Sequence, residues 1–138
     1  MTADYLDAHQ RHWDDAERLR GTERWANADH LYGIATECGL KRLMLAFGMT
    51  FDVSKGMPAE GKDREHANGI WARYESYRSG HPQGAAYALP AVNPFADWHV
   101  SQRYAPQAAF DRTRVEKHRR GAESVSLLVK QAHLEGVI

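Results

Sequence analysis

The stretch Trp25–Phe47, WANADHLYGIATECGLKRLMLAF, decides how the rest of the chain is read. It is the longest uninterrupted segment with a helical repeat: Trp25, Ala28, Tyr32, Ala35, Cys38 or Gly39, Arg42 or Leu43, and Ala46 recur at steps of three and four. Leu31, Ile34, Leu40 and Phe47 widen the apolar stripe beyond a single seam, so this helix must be covered on more than one side. Gly33 and Gly39 each cost roughly 1 kcal/mol of helix propensity relative to Ala. The expected return is close approach by a neighbouring backbone. Asp29, His30, Thr36, Glu37 and Lys41 interrupt the stripe. The stretch reads as the central helix of a small helical bundle.

The flanking segments supply its neighbours. Ala3 to Arg20 reads as a first helix with Tyr5, Ala8 or His9, Trp13, Ala16 and Leu19 on one face and acidic residues on the other. Gly21 stops it, and Thr22 is the expected N-cap of the next helix. Gly48 ends the central helix. Residues 49–62 read as a Gly-, Pro- and charge-rich loop. A third helix is expected from about Asp63 to Arg78, stopped by Ser79-Gly80 and Pro82. Pro82, Pro90, Pro94 and Pro106 exclude one long regular element between 80 and 110. This loop is too aromatic (Tyr87, Phe95, Trp98, Tyr104, Phe110) for a solvated linker and is expected to wrap over the bundle, with a short helical turn after Asn93-Pro94. In the last helix Val115, His118, Ala122, Val125, Val129 and Ala132 step by three and four. Thr113-Arg-Val-Glu116 matches a capping box and places the first helical residue near Arg114. The fold class expected is all-α, an up-and-down bundle of four to five helices.

The 138 residues suit one domain with one core, and 43% hydrophobic with 26% charged residues is an ordinary globular composition. With formal net charge zero, no global field draws the chain to nucleic acid or anionic lipid, so such binding needs a local patch. No apolar run reaches the ~18 residues of a membrane span. The N-terminus lacks the order of a signal peptide. Lone Cys38 excludes an internal disulfide and a multi-cysteine zinc site. A cytoplasmic location without membrane attachment is the expectation.

Chemistry concentrates at the start of the last helix. RTRVEKHRR, residues 112–120, sets Arg112, Arg114, Lys117, Arg119 and Arg120 against Glu116 alone. Cations there oppose the helix macrodipole, whereas an anion such as RNA phosphate is welcome. The alternative is a solvated face paired with the acidic first helix. Arg114 and His118 lie four apart and share a helix face. A His that moves protons near neutral pH, beside an Arg that holds phosphate, is sufficient to cut RNA without metal. A lone His on a helical stripe also fits a hydrogen-bonded core residue. Glu37 and Lys41 are ordered for a helix ion pair. His30, Glu37 and His66 lack ligand-pair spacing, so no metal and no cofactor are expected. There is no phosphate-binding glycine loop, nucleophile elbow or HExxH motif.

Two segments resemble the HEPN superfamily, small helical domains of prokaryotic toxin and defence systems. Ala35-Thr-Glu-Cys-Gly-Leu-Lys-Arg-Leu-Met44 is similar to the AAEKALKALL-type second helix of that family, with Glu37, Leu40, Lys41 and Leu43 in matching places. Arg103-Tyr104 resembles the RYP element before the fourth helix, with Ala105 where Pro is usual and Pro106 next. The resemblance implies a bundle that is often a homodimer and, in many members, a metal-independent endoribonuclease. Its Arg, four to six residues, then His pattern is met by Arg112 and His118, which makes them the catalytic candidates. Arg114, Lys117 and Arg103 are the candidates for RNA phosphate, while Glu37, Lys41 and Tyr104 are family-motif positions with structural roles. The resemblance also implies the alternative of a non-catalytic module that binds nucleotide or a protein partner, such as a nucleotidyltransferase antitoxin.

Overall fold

Asp4 caps the first helix by accepting hydrogen bonds from the backbone N–H groups of Leu6 and Asp7 at 3.1 and 3.0 Å. In the computed structural model, which describes residues 1–138, α1 then runs over Tyr5–Gly21 and α2 over Trp25–Ala46. A two-residue antiparallel hairpin follows, β1 (Phe51–Asp52) paired with β2 (Met57–Pro58). After a 3-10 turn at Gly61–Arg64 comes α3, Ala67–Ser79, and the chain closes with α4, Arg112–Leu134. The protein is an all-α bundle of four main helices. α2 packs against α1, α3 and α4, the central position its apolar width demands.

The helix starts differ from the sequence reading, each for a local reason. α1 opens at Tyr5 rather than Ala3, because Asp4 is its cap. Thr22 does not cap α2; its hydroxyl donates to the Leu19 carbonyl at 3.2 Å and closes α1, and Glu23 turns the chain with φ of 59°. Asp63 does not open α3. Its buried carboxylate accepts from Arg73 Nε and the Tyr77 hydroxyl, both at 2.6 Å, which pins the preceding 3-10 turn onto α3. Asp111 rather than Thr113 caps α4, accepting from Arg114 N–H at 2.9 Å, so Arg112 lies within the first turn.

Residues 80–111 wrap over the bundle through 3-10 turns at Gly84–Tyr87, Val100–Tyr104 and Gln107–Ala109. The segment buries Tyr87, Phe95, Trp98 and Phe110 in the core. Two glycines make room for it. A Cβ on Gly33 would stand 2.1 Å from Trp98 Cε2, and one on Gly121 2.5 Å from Pro94 Cγ. The close neighbours of α2's glycines are thus side chains, not backbone; at Gly39 they are His9 and Val125.

Candidate functional site

The densest polar cluster lies where the first turns of α2, the first half of α4 and the 93–104 segment meet. α2 contributes Asp29, fully buried and in phase with the helix's buried face. α4 contributes His118, also fully buried, with its ring stacked on Phe95 at 5.1 Å between centroids. Asp29 Oδ1 lies 2.6 Å from His118 Nδ1, and Asp97 Oδ1 lies 2.9 Å from His118 Nε2. A carboxylate only accepts, so a ring that satisfies both donates from both nitrogens.

Asp97 gathers more than the histidine. Its Oδ2 accepts from Lys117 Nζ at 2.6 Å and Arg114 Nη1 at 3.1 Å, and its carbonyl accepts from Arg114 Nη2 at 2.8 Å. Burial raises the Asp97 pKa, but the hydrogen bonds from Lys117 and His118 outweigh it and hold the carboxyl well below its ordinary value. The other Asp29 oxygen accepts from Gln102 Nε2 at 2.6 Å and lies 3.4 Å from Arg114 Nε. Trp98 donates from its indole N–H to the Asp29 carbonyl at 3.1 Å and stacks on His30. Burial, then the charge of Arg103, lowers the His30 pKa.

The sequence candidates divide between this cluster and the surface. Arg114, Lys117 and His118 converge. Arg112 does not: six residues from His118, it points about 120° away around the helix, is exposed, and helps keep Glu116 ionised. Arg103 and Tyr104 are exposed outside the cluster, the guanidinium 4.9 Å from the Tyr104 ring centroid. Glu37 and Lys41 form their ion pair at 2.6 Å, and the second Glu37 oxygen meets His66 Nδ1 of the neighbouring segment at 2.9 Å. His30 lies apart from them, stacked on Trp98. The expected pairing of α4 with the acidic first helix is present as Arg119–Glu17 at 2.7 Å, while Arg20–Glu116 at 2.6 Å joins the same helices in the opposite sense.

Asp29, Asp97 and Gln102 escaped the sequence reading. Asp29 had a signal: Asp29, Gly33, Thr36, Leu40 and Leu43 continue one helical phase, so a carboxylate belongs to the buried face. Asp97 had only its place between Phe95 and Trp98. Beside Asp97 an opening of about 590 Å³ is lined by Pro94, Asp97, Lys117, Arg120, Gly121 and Ser124 among others. No helix is long and apolar enough to cross a membrane. Protein-family models, curated proteins and solved structures give no match to the chain.

Proposed function

We propose that the chain is an HEPN-like helical module of a toxin–antitoxin or defence system that works by binding RNA or a nucleotide, without using His118 as a free acid or base. One observation carries this reading. His118 is fully buried, and both ring nitrogens are engaged by Asp29 and Asp97. A general base needs a ring nitrogen within reach of the proton it takes, and this ring offers none to a substrate. Of the basic residues in α4's first turns, Arg114, Lys117 and Arg119 are paired with carboxylates, while Arg112 and Arg120 stay exposed and without an ion pair, which leaves them to meet phosphate.

A second reading, the metal-independent endoribonuclease with Arg112 and His118 as its pair, draws support from the half-exposure of Asp97. Movement of that one carboxylate uncovers Nε2. The test is cleavage of end-labelled single-stranded and structured RNA with EDTA present, by wild type, Arg112→Ala and His118→Gln at matched folding. The binding reading expects equal background from all three, with retention of RNA by wild type in a filter or shift assay. Cleavage by wild type alone, leaving 2′,3′-cyclic phosphate ends, would establish the nuclease instead. A nucleotidyltransferase antitoxin or a second copy of the chain belongs to the same proposal, and co-purification and sedimentation are their measurements.

A further inference from the structure

Three basic side chains converge on one half-exposed carboxylate. Asp97 takes Lys117 Nζ and Arg114 Nη1 on one oxygen and His118 Nε2 on the other. A guanidinium, an ammonium and an imidazole nitrogen directed at one small anion are the elements of a phosphate site. Here an internal carboxylate occupies it. The two carboxylates of the cluster are not equivalent. Asp29 is enclosed and fixes the far side of His118, while the Asp97 side chain is 48% exposed and sits on an irregular segment. The opening beside Asp97 is lined by Asp97 itself and by Lys117, so an outside anion can reach that ammonium and the carboxylate it would displace. Arg120, also exposed, lines that opening and adds a cation that Asp97 does not engage.

We propose that Arg114, Lys117 and His118 form a phosphate-binding site, with Asp97 as its built-in plug and Arg120 at its mouth. The ligand class rests on the binding reading above; the plug rests on the geometry alone. A tethered carboxylate competes as an intramolecular ligand at high effective concentration, so wild type binds phosphate weakly and releases it easily. Exchange moves Asp97 out and leaves Asp29 on Nδ1.

The experiment is calorimetric titration of inorganic phosphate, and separately of a single-stranded RNA decamer without terminal phosphate, at matched ionic strength. The proteins are wild type, Asp97→Asn and Asp97→Asn/Lys117→Ala, with melting curves for each. Asp97→Asn is expected to bind phosphate at least about tenfold more tightly than wild type, a gain of about 1.4 kcal/mol, and the second substitution to abolish the gain. A parallel gain on RNA assigns the site to phosphodiesters. A gain on phosphate alone upholds the plug and removes RNA as its ligand. Equal phosphate affinity in folded wild type and Asp97→Asn overturns the plug. If Asp97→Asn does not fold, the ¹⁵N resonances of the wild-type His118 ring read the same exchange. Phosphate must then shift Nε2 and leave Nδ1 in place; an unmoved Nε2 at saturating phosphate overturns the proposal.

Discussion

A histidine clamped between two carboxylates acts as a strut. Deleting it strands Asp29, a fully buried charge that then keeps only Gln102 and a 3.4 Å approach from Arg114. Breaking a buried pair from one side costs about 3–5 kcal/mol, so His118→Ala is expected to lower the urea midpoint by that equivalent with little change in slope. The glycines give a contrast at the same scale. Gly33→Ala gains roughly 1 kcal/mol of helix propensity but drives a Cβ to 2.1 Å from a fully buried indole. Overpacking of a rigid ring costs about 1–3 kcal/mol and wins, so the variant is expected to melt lower, with altered near-ultraviolet dichroism from Trp98. Gly21→Ala meets no atom within 4 Å. It is expected to raise stability by about 0.4–1 kcal/mol, read from the same denaturation curves.

The elements divide according to what specifies them. The α2 and α4 stripes were legible because a 3.6-residue period shows wherever one face is buried. Their ends were less so, because two capping signals overlap at α4: Asp111 and Thr113 both fit, and only the course of the chain from Phe110 decides. Asp111→Ala is expected to cost about 1 kcal/mol, and Thr113→Ala to stay within about 0.5 kcal/mol of wild type, both from thermal melts. The site was half legible. Arg114 and His118 share a face by arithmetic, and the structure joins them through common carboxylates. Those carboxylates were out of reach, since Asp29 lies 89 residues and Asp97 21 residues from His118, and no local period encodes such a meeting. Arg112 fitted a spacing pattern, but spacing counts residues and not direction.

Across the whole molecule, buried and paired titratable groups give stability a defined acid dependence. His9 is buried with Nδ1 donating to the Ala35 carbonyl at 2.8 Å, and burial lowers its pKa. A group with a depressed folded pKa stabilises fully above its unfolded value and loses that contribution as pH falls toward the folded one. For His9, with His12 and His30 shifted the same way by burial, the loss begins below about pH 6.5. For Asp97, Glu17 and Glu116 the sign is the same but the window lies lower. Each folded pKa is depressed by cationic partners, so the loss begins below about pH 4. Urea midpoints are therefore expected to fall in two stages on acidification, and His9→Gln to shrink the first stage alone.

The wrapping segment also has a consequence in time. Tyr87, Phe95, Trp98 and Phe110 fill the core from a stretch with no α-helix of its own, so their sites exist only once α2, α3 and α4 have met. The rings are expected to enter last, over a nucleus of local helical contacts. Truncating Trp98 should speed unfolding far more than it slows refolding, so this segment governs how long a folded molecule lasts rather than how quickly one forms.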